Sequence, residues 1–115
     1  MGLFDKFLKK KEQPKSDESV LIYLDAANLS DEIYKNYDLS TLEDRLIEAI
    51  ENNKVGEFDG NEIGEGVTKI FTYGPDADRL YRVIEPVLRS YPLCRNARVV
   101  IRKGGPGSPQ TEVHL

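Results

Sequence analysis

Tryptophan is missing from this 115-residue chain, and cysteine, histidine and methionine each occur once. A lone Cys94 leaves nothing for an intramolecular disulfide, which fits a reducing, cytoplasmic setting. His114 stands one residue from the last position, and Cys94 follows Tyr91-Pro92-Leu93. No Ser/His/Asp or Cys/His set for nucleophilic catalysis can be assembled from them. Long apolar runs are also lacking. The earliest apolar patch, Leu3-Phe4 with Phe7-Leu8, is interrupted by Asp5 and Lys6 and followed by lysines. Neither a membrane helix nor a secretory leader is expected from it. The length allows one ordinary core and no second.

What is present is unevenly charged. The net charge is −4. Residues 1–15 carry five lysines against two acids, residues 31–65 eleven acids against three bases, and residues 66–115 eight bases against four acids. Such segregation biases which partners are attracted, not which fold forms. Residues 9–19 are polar and broken by Pro14, and so read as a linker. The expected organisation is a basic amphipathic tail and linker over 1–18, then one α+β domain over 19–115.

Val20–Leu24 is a short, partly β-branched run that fits a central strand buried on both sides. Residues 25–39 mix helical apolar spacing with turn formers and read as an ordered loop containing one helical turn. Ser40-Thr41-Leu42-Glu43 matches a capping box, and Leu42, Leu46, Ile47, Ala49 and Ile50 form the apolar stripe behind it. The glycine-punctuated stretch 55–63 reads as an edge strand before a turn at 64–66. Val67–Tyr73 is rich in β-formers. Gly74-Pro75-Asp76 starts a second helix, with Asp76 as N-cap or else Pro75 in the first helical turn, an apolar stripe from Ala77 to Leu88, and Pro86 inside it. Ala97–Arg102 is a further strand, Gly104–Pro109 a loop, and 111–115 a last edge strand. The order β-α-β-β-α-β predicts a ferredoxin-like two-layer sandwich with an added C-terminal edge strand. Right-handed crossovers put both helices on one sheet face and leave the other either open or covered by something the sequence does not identify.

Three surfaces could carry a function. Tyr23, Phe71 and Tyr73, with Arg98 and Arg102, are candidates for an open sheet face that stacks bases or binds a partner. Against nucleic acid, Lys69–Tyr73 lacks the RNP1 glycine-aromatic pattern, and the acidic chain repels phosphate. The acidic set Asp59 and Glu62, with Asp76 and Asp78 at the helix start, could hold Mg²⁺ or act as acid and base. Residues 59–64 fail the calcium-loop pattern, however, and aspartates at a helix start already have a capping purpose. Gly104-Gly105-Pro106-Gly107 has neither the Walker ending nor a following helix. The tail residues Leu3, Phe4, Phe7 and Leu8 share one helical face flanked by Lys6 and Lys9–Lys11, which could dock on a partner groove or an anionic membrane. No cofactor and no metal site is expected.

Gly56-Glu57-Phe58-Asp59-Gly60-Asn61-Glu62, Tyr73-Gly74-Pro75-Asp76-Ala77-Asp78-Arg79-Leu80, Glu85–Arg89 and the closing Gly-Gly-Pro-Gly resemble a group of small uncharacterised bacterial proteins. The likeness covers residues 55–115. It implies a bacterial, soluble, stand-alone domain and brings no activity, site or cofactor with it. The expectation is therefore a non-enzymatic module that binds a protein partner or itself. A small-ligand or metal-assisted enzyme and a single-strand binder rank below it, as does a membrane role for the tail.

Overall fold

The computed structural model describes residues 18–105 and 107–115. The tail candidates Leu3, Phe4, Phe7 and Leu8 lie outside the described residues. Strand β1 (Glu18–Leu24) leads through a loop to a short helix α1 (Asp31–Asn36) and then α2 (Leu39–Asn53). Next come β2 (Glu57–Gly64), β3 (Val67–Gly74), α3 (Ala77–Ser90), a single 3₁₀ turn at Pro92–Cys94, β4 (Arg98–Arg102) and β5 (Gln110–His114). The strands form one antiparallel sheet in the order β2-β3-β1-β4-β5. The fold is thus α+β, and its element order departs from a simple β-α-β-β-α-β chain by α1 and β5. Among the described residues, no helix is long and apolar enough to cross a membrane.

Strand alternation and helical periodicity meet in one core. Val20, Ile22, Ile70, Val99 and Ile101 on the sheet pack with Ile33, Leu42, Leu46, Ile50, Leu80, Ile84 and Leu88 from the three helices. Side chains two apart on a strand share a face, so these residues define the helix-bearing side. Among the described residues, the polar residues of the sheet that are buried as a whole are Ser19, Thr68 and Thr72. The Thr72 hydroxyl donates to the Val20 carbonyl at 2.7 Å, which satisfies it.

Helix starts show where local chemistry overrode the expected pattern. Asp76 caps α3 as expected, accepting from the Arg79 N–H at 3.2 Å. The Glu18 carboxylate adds a second acceptor, for the Ala77 N–H at 2.8 Å. The capping box at Ser40 is corrected. Helix α2 begins at Leu39, with Asp38 as N-cap accepting from the Thr41 N–H at 3.3 Å. Ser40 instead donates its hydroxyl to Asp38, and Glu43 accepts from the Asn61 side chain on β2. A charged acceptor matches the positive end of the helix better than a hydroxyl does. The Asp38 carboxyl is held below its usual range by hydrogen bonds from Thr41 and Ser40. Residues 25–39 contain the expected helical turn as α1, capped by Ser30. Tyr91 Oη donates to the Asp38 carbonyl at 2.8 Å, pinning the α1–α2 junction to the end of α3.

Candidate functional site

The face opposite the helices is built by register. Tyr73 pairs across to Ser19, Phe71 to Leu21 and Lys69 to Tyr23. On the other side of β1, Ser19 pairs with Arg102, Leu21 with Val100 and Tyr23 with Arg98. Strand β2 extends the first row with Glu57 and the third with Glu62, while β5 extends the three with Gln110, Glu112 and His114. The sequence-predicted set Tyr23, Phe71, Tyr73, Arg98 and Arg102 is therefore brought together on one face.

Cations bracket the aromatic rings. Lys69 Nζ lies 5.1 Å from the Tyr23 ring centre and 4.9 Å from that of Phe71. The Arg98 guanidinium is 4.2 Å from the Tyr23 ring centre, and its Nη1 meets Glu112 Oε2 at 3.1 Å. Such contacts fix long side chains over apolar ground rather than leaving them in solvent. Tyr73 is half-buried, and its phenol is pushed up by that burial and then by the charge of Asp59, with Arg102 opposing.

At the centre of this face lie Leu21 and Val100, only 4% and 3% exposed. Neither belongs to the core cluster that the helices make. At the β2 edge, in the row of Tyr73, Glu57 Oε2 is shut from solvent without a hydrogen-bond partner. An unpaired carboxylate oxygen out of water is costly and marks a place where a donor belongs. Sequence reasoning missed Leu21, Val100, Lys69 and Glu57. The two-sided burial of Val20–Leu24 was the signal for Leu21, and the apolar run Val99-Val100-Ile101 was the signal for Val100.

The acidic candidates do not converge. Asp76 is used as a cap, and Asp78 pairs with Lys103. Asp59 and Glu62 stand inside β2, within the expected edge strand, where a bulge between Phe58 and Asn61 bends it. Among the described residues, no three His, Cys, Asp or Glu side chains could share a metal ion. A separate apolar hollow of about 300 Å³ lies at the end of β1, lined by Leu24, Leu29, Tyr34, Tyr37 and Leu39. Two of its polar groups are engaged: Tyr34 Oη donates to the Ala26 carbonyl and the Asp38 carboxylate caps α2.

Cys94 is 1% exposed, and burial pushes its thiol up to about 12. The thiolate is the reactive form. The native chain is expected to leave a thiol reagent unreacted at about pH 8, and the denatured chain to titrate one thiol. Rapid reaction of the native chain would contradict the burial.

Comparison with protein-family models, curated proteins and solved structures returns no match.

Proposed function

We propose that this chain is a non-enzymatic interaction module, bacterial and cytoplasmic, whose open sheet face receives an amphipathic segment of a protein partner. The strand order β2-β3-β1-β4, with the helices on one side, fits a ferredoxin-like core extended by α1 and β5. The observation that carries the reading is the apolar pair Leu21 and Val100, buried outside the helical core and ringed by Tyr23, Phe71, Tyr73, Lys69, Arg98 and Arg102. An apolar centre inside an aromatic and charged rim is the anatomy of a protein-binding patch. An apolar stripe of a partner helix matches the centre, and its lysines match Glu57, Glu62 and Glu112 along the two rims.

Single-strand binding through the same face has weaker support. Bases would need the ring of Tyr23, which Arg98 and Lys69 already bracket. Catalysis by the acidic set has weaker support still, because Asp76 and Asp78 are spent on capping and pairing.

Selection of helical peptides from a random library against the full chain tests the reading. The binders are expected to carry apolar residues at i, i+3 and i+4 flanked by lysine, and to lose at least tenfold in affinity when Phe71→Ser and Tyr73→Ser are combined. Binders indifferent to those substitutions, or a labelled oligonucleotide that binds more tightly than any peptide, would contradict it.

A further inference from the structure

We propose that the hollow at the end of β1 is a binding site for a small amine with an apolar, ring-sized body. It lies apart from the open sheet face and takes a different class of ligand, so it does not rest on the partner reading.

Local structure makes the hollow and keeps it open. Leu24 ends β1 and pairs with Thr68 of β3. Beyond that pair the chain leaves the sheet, and the loop after β1, the first residue of α2 and the 3₁₀ turn bring Leu29, Leu39 and Leu93 to the walls. Three contacts brace these pieces. Tyr34 Oη donates to the Ala26 carbonyl, which ties α1 to the loop. Tyr91 Oη donates to the Asp38 carbonyl at 2.8 Å, and Tyr37 meets the Tyr91 ring edge-on with centroids 5.5 Å apart. A braced site is preformed, and little affinity is lost to ordering it on binding. The hollow measures about 300 Å³. An apolar cavity of ~150 Å³ already holds benzene, so one ring with a short side chain fits.

Two polar groups set the chemistry of the ligand. Thr68 is only 8% exposed and lines the hollow. Thr72, on the same face of β3, spends its hydroxyl on the Val20 carbonyl. The Thr68 hydroxyl has no hydrogen-bond partner among the described residues. Set among leucine walls, it is left with a bond that a polar atom on the ligand can complete. Asp38 stands exposed at the mouth. One of its oxygens accepts from the Thr41 N–H and the other from the Ser40 hydroxyl, and these bonds hold the carboxyl below its usual range. A carboxylate offers about four lone-pair sites, which leaves room for an ammonium N–H. The wider charge agrees. Residues 25–38, which build the mouth, carry four acids against one base. Tyr34 and Tyr37 add two half-exposed aromatic rings to the lining, and the faces of such rings attract cations. An anion meets repulsion here, and a neutral molecule gains only the leucine walls.

Titration of the full chain with four probes, followed by methyl and aromatic NMR, tests the proposal. The probes are 4-hydroxyphenethylamine, phenethylamine, 2-phenylethanol and 3-phenylpropanoate. The hydroxylated amine is expected to shift Leu24, Leu29, Leu39 and Leu93 together, with a Kd of about 1 mM or tighter for its size. Phenethylamine should bind about threefold more weakly, the alcohol about tenfold more weakly than phenethylamine, and the carboxylate not at all. Asp38→Asn keeps the helix cap, because asparagine caps as well as aspartate, and should bring phenethylamine down to the level of the alcohol. Thr68→Val should abolish the preference for the hydroxylated amine and leave phenethylamine unchanged. Equal binding of amine and alcohol to the parent chain overturns the proposal, and so does amine binding indifferent to Asp38→Asn. A missing hydroxyl preference, or one that survives Thr68→Val, overturns it as well. Shifts confined to Tyr23 and Phe71, or no saturation by any probe at about 10 mM, have the same force. The peptide selection reads the other face, so failure of either test leaves the other reading in place.

Discussion

Gly74→Ala is expected to destabilise the fold by about 3 kcal/mol, the upper range for forcing a methyl group into a packed position. A Cβ at Gly74 would stand 2.2 Å from the Val55 carbonyl oxygen and 3.2 Å from the Cα of Gly56. Both obstacles are backbone, so no side-chain rotation relieves the clash. The approach is mutual: a Cβ at Gly56, where φ is +154°, would lie 2.0 Å from the Tyr73 carbonyl oxygen. These two glycines let the start of β2 cross the end of β3 at close range. That crossing puts Glu57 across from Tyr73 and sets the first row of the open face. Gly64→Ala is the control, since its added Cβ meets only the Val67 carbonyl oxygen at 3.9 Å. Urea unfolding followed by circular dichroism should show a large drop in midpoint for Gly74→Ala, and a shift within ~0.5 kcal/mol for the control. Equal, small effects would mean that the crossing is looser than described.

The second large effect is at Ile22, fully buried at the centre of the helix-bearing face. Ile22→Ala removes three carbons from a site walled by β1's neighbours and the helices, and its cost is about 3–4 kcal/mol in transfer and cavity energy. The unfolding midpoint should fall while the denaturant slope holds, because the native surface is unchanged. A loss below about 1 kcal/mol would mean that the core collapses to fill the space. Leu21, one residue away, points to the opposite face. Its burial without membership of the core cluster distinguishes the open face from the helix-bearing one.

The strands were the most legible part of the sequence. In Val67–Gly74 the period-two pattern and the burial agree from Thr68 onward, because a strand with one face on a core must alternate. Asp76 could be recognised as a capping residue before an apolar stripe, and the structure chooses it over Pro75 in the first turn. Asp38 was not, since Ser40-Thr41-Leu42-Glu43 offered a second start two residues later. In the structure Asp38 takes the cap, Ser40 donates to it, and Glu43 accepts instead from Asn61, a residue eighteen positions away. The five aromatic and basic face residues could be found from strand parity alone. Lys69, Leu21 and Val100 have the same parity and were equally legible; only the register tells which side chains meet on the face. The orphaned Glu57 oxygen is a tertiary fact with no local signal. The acidic set illustrates the reverse: four carboxylates near glycines look like a cluster in sequence, and packing assigns Asp76 and Asp78 to separate structural tasks.

The central claim is that the open face, and not the hollow by Tyr34 or either sheet edge, is where this protein binds its protein partner. Methyl and aromatic NMR shifts of the full chain, followed while a selected amphipathic peptide is added, test it most directly. The account predicts that Leu21, Val100, Tyr23 and Phe71 shift together and saturably, while Ile22, Leu46 and Ile84 hold still. Shifts centred on Leu24, Tyr37 and Leu39, or on β5 alone, would contradict it.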